Sequence, residues 1–339
     1  VATIKEVARR AQVSVGTVSH VLSGTVPVSK RLRERVLDVI QKLDYHPNHV
    51  ARSLKIRRTK LMGMVIGNLG DPLFPPLVRG AEDAAWRENY LLITVNSGDQ
   101  VERERELLKV LRSRRVDGIL LAAVTDRDAD HIRALKESGV PIVCLDRDIP
   151  ALGLDCVVVD NAGAARECVA HLIAAGHRRI GMLNGGLEAP IARERLDGYR
   201  KALEDASLPF DETLAECAGF DIDEGFQAAG RLLAHSDPPT AIFAAGFTLA
   251  VGLLRALREA NLRYPEDVAI AVFDDPHWSE ALRPRLTAIR QPMYEMGRAA
   301  VELLLKRMEE PHRSRTRMVF KTTLEIRESS HANGLASTD

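Results

Sequence analysis

The sequence predicts an α/β protein with a small all-α head and a larger body of two similar lobes, each built on a parallel sheet. Three observations carry this expectation. Apolar residues recur at helical spacing through the first 45 positions. From residue 61 to about 330, short apolar runs alternate with amphipathic helical patterns, as crossover connections between parallel strands require. The charge is also divided: the chain is neutral overall, but residues 1–60 hold thirteen Lys and Arg against Glu6, Glu34, Asp38 and Asp44. A head of net +9 is thus joined to a body of net −9, which makes the head the polyanion-binding part. At 339 residues the chain exceeds what one core serves and suits two or three domains.

In the head, Thr3-Ile4-Lys5-Glu6 has the form of a capping box, with Thr3 capping the first free N–H groups and Glu6 reaching back. Ile4, Val7, Ala8 and Ala11 share one helix face. Gln12-Val13-Ser14 then breaks the period, and Ser14 can cap a second helix with Val18, Val21 and Leu22 inward. A third helix, from about Ser29 to Leu43, carries Leu32, Val36, Val39, Ile40 and Leu43. Two short helices across so tight a turn, with a third behind them, form a helix-turn-helix. Val15, Gly16 and His20 at the second helix are candidates to face DNA base edges. Ser14, Thr17 and Ser19 are candidates for phosphate, and Thr3 and Tyr45 complete the candidate contacts within the head.

The following stretch, YHPNHVARSLKIRRT at 45–59, places Leu54 among basic neighbours. Pro47 disfavours helix at His46, so the third helix ends there. Asn48 can cap a short helix from His49 to Lys55. Seven residues form a marginal helix in water because nucleation outweighs so few hydrogen bonds.

In the body the apolar runs are Leu61–Ile66, Tyr90–Val95, Gly118–Ala122, Pro141–Leu145, Val157–Val159, Arg179–Leu183, Ala241–Ala244 and Val268–Phe273. LMGMVIGN at 61–68 and RRIGMLNGG at 178–186 open alike, which is why two similar lobes are expected. Ligands of open α/β sheets bind at the carboxyl ends of the strands. Residues just past those ends are Asp71, Leu73, Phe74, Asp146, Arg147, Arg195 and Asp274. Carboxylates and guanidiniums suit vicinal hydroxyls, and Phe74 with Phe220 can cover the apolar face of a sugar ring.

Other classes find little support. No run reaches the roughly 18 apolar residues of a membrane span, and no apolar leader opens the chain, so a soluble, cytoplasmic protein is expected. Cys144, Cys156, Cys168 and Cys217 form no C-x-x-C pair, and each is expected in the core. There is no G-x-G-x-x-G, P-loop, G-x-S-x-G or H-E-x-x-H, and adjacent carboxylates at Asp274-Asp275 need not share a site. No catalytic residue, metal or cofactor is expected.

T-I-K-E-V-A-R-R-A-Q-V-S-V-G-T-V-S-H-V-L-S from residue 3, then Y-H-P-N-H-V-A-R-S-L from 45, resembles the LacI family of bacterial repressors. The resemblance continues in V-P-I-V-C-L-D-R, V-V-D-N, G-H-R-R-I-G, A-R-E-R-L-D-G-Y, V-F-D-D-P and I-R-Q-P, so it spans nearly the whole chain. It implies a DNA-binding regulator, a homodimer on a palindromic operator, with a periplasmic-binding-protein-like body that binds a small-molecule effector. The effector is expected to be a carbohydrate, because D-R at 146–147 and A-R-E-R at 192–195 are similar to the pentose-binding pattern. Sugar-responsive members are released by their ligand, whereas purine-type members need theirs to bind, so the sign stays open. The expected division is 1–46 for the head, 47–59 for hinge helix and linker, 60–161 with 291–320 and 162–290 with 321–330 for the lobes, and 331–339 for a polar tail too short for a heptad zipper. One departure stands out. Relatives commonly carry F-A-x-N-D, and Gly246 and Phe247 replace that polar pair, which implies a pocket that is larger, more apolar or shaped for a modified sugar.

The resemblance also implies that paired hinge helices enter the minor groove, with Leu54 wedged between base pairs and Arg52 and Lys55 near the groove walls. Leu54→Ala should then weaken binding to operator DNA far more than to non-specific DNA. Equal losses on both, measured by fluorescence anisotropy, would remove the wedge.

Overall fold

The computed structural model describes residues 2–23, 26–45 and 58–331. His46, Pro47, Asn48, Arg52, Leu54 and Lys55, and with them the hinge helix, lie outside the described residues. The chain divides into two compact units, Val1–Thr59 and Lys60–Asp339.

In the first unit α1 (Ile4–Arg10), α2 (Val15–Ser23) and α3 (Lys30–Lys42) close over Val7, Ala8, Ala11, Val18, Val21 and Val36, with Tyr45 added from beyond α3. The turn between α1 and α2 is tight because Gln12 takes a left-handed backbone, φ 50°, and Val13 N–H donates back to the Ala8 carbonyl. Thr3 caps α1 through Oγ1, which accepts from Glu6 N–H at 3.3 Å. Half of the expected capping box is therefore present. The Glu6 carboxylate instead accepts from Arg9 and Arg10 at 2.6–3.1 Å, since two guanidiniums one turn on are stronger donors than a single amide.

The second unit holds two six-stranded sheets. The first uses β1 (Leu61–Ile66), β2 (Leu91–Asn96), β3 (Gly118–Leu121), β4 (Ile142–Leu145), β5 (Asp155–Val159) and β11 (Arg317–Phe320). The second uses β6 (Ile180–Asn184), β7 (Ala215–Cys217), β8 (Ala241–Ala244), β9 (Ala269–Phe273), β10 (Thr287–Arg290) and β12 (Thr323–Glu325). Their orders, β11-β5-β4-β3-β1-β2 and β12-β10-β9-β8-β6-β7, follow one plan. Every pairing is parallel except β10 with β12. The chain changes sheet after β5, after β10 and between β11 and β12, so three strands of chain join the lobes.

Continuous apolar runs form these strands because helices cover both faces. On the first sheet Met62, Met64 and Ile66 face α4 (Phe74–Arg87) and α11 (Met293–Glu309), while Val65 faces the layer of α5 (Val101–Ser113) and α6 (Asp130–Glu137). On the second, Ile180 and Met182 face α7 (Asn161–Ala174) and α8 (Pro190–Asp205), and Leu183 faces α9 (Ile222–Leu233) and α10 (Phe247–Glu259). The short strands β7, β10, β11 and β12 were not among the expected runs. Cys217 corrects another expectation: Cys144, Cys156 and Cys168 are buried but Cys217 is exposed, because it ends the three-residue edge strand β7.

Helix α4 packs on α11 backbone to backbone. A Cβ on Gly80 would run into the Tyr294 carbonyl, and one on Gly297 into the Leu77 carbonyl. Gly297→Ala should therefore destabilise the protein by about 1–3 kcal/mol or more, as overpacking against backbone does. Gly230→Ala, in α9 with nothing within 4 Å of the added carbon, should be neutral or stabilise by about 0.5–1 kcal/mol. Urea unfolding of the two variants reads the contrast.

Candidate functional site

The carboxyl ends of both sheets open into one cleft, lined by Asn68, Asp71, Leu73, Phe74, Asp99, Asp146, Arg147, Ile191, Arg195, Phe220, Gly246 and Asp274. The space between these side chains, the open mouth included, is about 390 Å³.

Two aspartates occupy matching positions in the two lobes. Asp146 follows β4, and its N–H donates to Val157 of β5 at 2.9 Å; Asp274 follows β9, and its N–H donates to Ile289 of β10 at 3.0 Å. Each extends its strand by one bond and then turns through a left-handed backbone, φ 66° and 84°, a conformation that aspartate tolerates better than most side chains. The turn aims both carboxylates into the cleft, where they are 2% and 4% exposed.

Their surroundings differ. Neither Asp146 oxygen has a hydrogen-bond partner, and the Arg147 Nε lies 3.7 Å from Oδ2. Asp274 Oδ1 accepts from Gln291 Nε2 at 2.6 Å. Arg147 Nη1 donates to Asp99 Oδ1 at 2.9 Å and to the Ala123 carbonyl at 3.1 Å. From α8, the buried Arg195 donates through Nε to Asn161 Oδ1 at 2.9 Å and through Nη1 to the Ala245 carbonyl at 2.7 Å. Its guanidinium lies 3.6 Å from the centre of the Phe273 ring, and Nη2 has no partner. Asp71 Oδ1 accepts from Leu73 N–H at 3.0 Å, a local turn that delivers Leu73 and Phe74 to the cleft wall.

Burial sets the electrostatics. It pushes Asp274 up to about 7, with Arg195 opposing and Asp71 reinforcing the rise. Asp146 rises through burial against the pull of Arg147 and Arg195. Asp71 rises through burial, with Asp146 and Asp99 adding to it. Burial lowers Arg195 despite Asp274 and Asp146. It works against the charge of Arg147 too, but Asp99 and Asp146 outweigh it and the pKa is raised.

All eight residues singled out for ligand in the sequence thus line one cleft. Asn68, Asp99 and Ile191 line it as well and were missed. Asn68 and Asp99 lie two and three residues past β1 and β2, where the carboxyl-end rule applied more widely would have found them. Ile191 carried no polar cue. Of the substituted pair, only Gly246 lines the cleft. The Phe220 ring sits over it, 3.1 Å from where a Cβ would be, and over Gly185, whose Cβ would strike the ring. Phe247 is buried and meets Trp278 edge-on at 4.7 Å. The replaced pair therefore makes room for an aromatic wall.

Asp275 turns away from its neighbour. It accepts from Arg327, Arg290 and Ser279, and although burial raises it, these donors hold it down at about 2. Arg193 of α8 reaches Asp126, which follows β3 of the first sheet, at 2.6 Å. Among the described residues no cluster of three His, Cys, Asp or Glu could hold a metal, and no helix is long and apolar enough to cross a membrane.

In the head, Val15, Gly16 and His20 of α2 are exposed, Gly16 offering only backbone, while Thr17 and Ser19 are half-buried. Ser14 Oγ accepts from Thr17 N–H at 3.1 Å and shares a 2.9 Å hydrogen bond with Thr17 Oγ1. Thr3 is exposed, and Tyr45 is buried in the head core.

The chain matches two family models: bacterial regulatory proteins, lacI family, over residues 3–48, and the periplasmic binding protein-like domain over 169–330. It is 36% identical to the ribose operon repressor of Haemophilus influenzae over 332 residues, 98% of this chain and 99% of that protein. A solved complex of the transcriptional regulator CelR with cellobiose is 34% identical, with a TM-score of 0.74, over 97% of this chain and 100% of that one. The lac repressor dimer bound to operator and the anti-inducer ONPF is 27% identical, with a TM-score of 0.86, over 98% and 99%.

Asp274 binds its proton more tightly when folded than at an unfolded pKa of about 3.9. This group therefore favours the fold below about pH 4, and the contribution is lost as pH rises through 7. Asp274→Asn keeps an acceptor for Gln291 and removes the penalty. It should be more stable than the parent at pH 8, and the gap should shrink by roughly 3 kcal/mol at pH 5. Urea unfolding at the two pH values measures it, and a gap that does not change contradicts the burial of the charge.

Proposed function

The chain belongs to the lacI family of bacterial regulatory proteins, and from that premise we propose that it is a transcriptional repressor. It binds a palindromic operator as a homodimer, and a small carbohydrate in the cleft controls its affinity for DNA. The observation that carries this reading is the cleft itself: both lobes supply buried, directed polar groups around one space, and Asp146 and Arg195 still have atoms with no protein partner. Buried polar atoms without partners are costly, about 1–3 kcal/mol each, so a ligand that satisfies them binds with high selectivity. The relatives fit this chemistry, one named for a ribose operon and one solved with cellobiose.

The roles divide by unit. In the head, the exposed start of α2 supplies Val15, Gly16 and His20 to base edges, and Ser14, Thr17, Ser19 and Thr3 serve the backbone. Ser14 and Thr17 are already fixed to one another, so their hydroxyls are pre-positioned for phosphate. Tyr45 acts from within the head core, supporting the helices that hold these groups. In the body, a ligand bridging Asp146 and Arg147 of one lobe to Arg195 and Asp274 of the other favours one relative setting of the lobes. A reversal of the DNA-binding equilibrium from 99:1 to 1:99 requires the effector to favour one state by about 5.5 kcal/mol.

An enzyme is the poorer reading on these side chains. The adjacent carboxylates Asp274 and Asp275 diverge, one into the cleft and one into an arginine cluster, so they do not form an acid–base pair.

Fluorescence anisotropy on operator DNA tests the proposal. Affinity should fall steeply and linearly on a log–log plot against salt as phosphate contacts release counterions. Asp146→Asn, at a carboxylate that accepts no hydrogen bond among the described residues, should abolish the response to ribose or cellobiose, whichever the parent answers to, and leave ligand-free operator affinity within about twofold, under ~0.5 kcal/mol. A flat salt response removes the DNA role, and an unchanged ligand response moves the effector site elsewhere. The direction of the ligand effect separates induction from corepression.

A further inference from the structure

The cleft is lined by four carboxylates, Asp71, Asp99, Asp146 and Asp274, and two guanidiniums, Arg147 and Arg195. Their pairings decide where the surplus charge sits. Arg147 is bound to Asp99 and lies beside Asp146. Arg195 spends two of its three nitrogens on neutral oxygens, Asn161 Oδ1 and the Ala245 carbonyl. Asp71 and Asp274 make no ion pair among the described residues; the hydrogen bonds they accept come from a backbone amide and a neutral carboxamide. Asp71 belongs to the first lobe and Asp274 to the second, and both line the cleft; Asp71 raises the proton affinity of Asp274. Open hydrogen-bonding capacity remains on both sides: both Asp146 oxygens are acceptors without a partner, and Nη2 of Arg195 and Nε of Arg147 are buried donors without one.

A site of this kind rejects anions and accepts donors. We infer that the effector is an amine-bearing sugar or polyol, unphosphorylated, whose ammonium lies between Asp71 and Asp274, an inference that rests on the effector reading above. An ammonium offers three donors and no acceptor, whereas each hydroxyl offers one donor and also needs to be satisfied as an acceptor. Placed between the two lobes, its charge meets a carboxyl group from each and favours the ionised form of both, so binding and lobe closure draw on the same interaction. The remaining hydroxyls fall to Asp146, Arg147 and Arg195, and Phe220, held down on Gly185 and Gly246, supplies the apolar wall. A phosphate would instead face the unpaired carboxylates in a low-dielectric site, where like charges repel strongly.

The test uses the full chain at pH 6.5 in thermal shift and calorimetry. The probes are glucosamine and galactosamine, their neutral counterparts glucose, galactose and N-acetylglucosamine, ribose, and the anions glucose 6-phosphate and ribose 5-phosphate. The expected result is that at least one amino sugar binds about tenfold or more tightly than its neutral counterpart, the order of one charge-assisted hydrogen bond, and that neither phosphate shifts the melting temperature. Asp71→Asn keeps the turn to Leu73, because its Oδ1 still accepts, and should erase the amino preference without lowering the melting temperature of the free protein. Two outcomes overturn the inference and spare the effector reading: a neutral sugar that binds as tightly as its amine, or a phosphate that binds. If no probe of any charge shifts the protein, both fall together.

Discussion

The second unit depends on one buried cation. Arg195 is 1% exposed, and a guanidinium taken out of water is stable only where other groups replace its hydration. Three kinds of partner do so here. Asn161 and the Ala245 carbonyl accept its hydrogen bonds, the Phe273 ring offers its negative face, and Asp274, Asp146 and Asp71 supply opposite charge at longer range. These partners come from different elements in both lobes. The requirement to keep one guanidinium compensated therefore fixes where the start of α7, the ends of β8 and β9, and the loops after β1 and β4 must meet.

That meeting point follows from a repeated fold. Both sheets share one strand order, and in both the order reverses beside the first strand of the lobe, where loops on either side diverge and leave a crevice. The same residue type stands at the same place, one step past β4 and one step past β9, each in the left-handed region. Holding a non-glycine residue there is unfavourable on its own. In both lobes the strand hydrogen bond before the turn and the buried packing after it fix the conformation, so the carboxylate is aimed before any ligand arrives. Backbone contact between α4 and α11 through Gly80 and Gly297 packs these two helices of the first lobe closely, and three chain crossings join that lobe to the second.

Most of this was legible in the sequence, for identifiable reasons. Asp146, Arg147 and Asp274 follow long apolar runs directly, and a charged residue at the end of a buried strand is hard to explain without a site. Arg195 was visible through the spacing of its motif. Asp99 was not, because β2 is an edge strand only partly buried, and its polar end looks like ordinary loop. The strands β7, β10, β11 and β12 were illegible for a related reason. They are three or four residues long, and their pairing is decided by distant chain rather than by local pattern. Tyr45 stands in the sequence as a candidate DNA contact, and only the packed head shows that it fills a core otherwise built of small aliphatic side chains.

Phe220 and Gly246 show what neither a pattern nor a single residue conveys. In isolation the glycine is a loss, a polar contact removed from a site that relatives of this kind use for hydrogen bonding. In the fold it is one half of a pair: the ring of Phe220 occupies the volume that a side chain at 246 would take, and Gly185 opens the space on its other side. This wall of the cleft is thus an aromatic surface, and polar recognition is left to the charged groups. With recognition concentrated on carboxylates from both lobes, the charge of a ligand becomes the property that the cleft discriminates most strongly. Apolar shape complementarity alone separates ligands by only about 1–3 kcal/mol per methylene-sized difference, whereas a buried polar group left unpaired rejects the wrong ligand by several orders of magnitude.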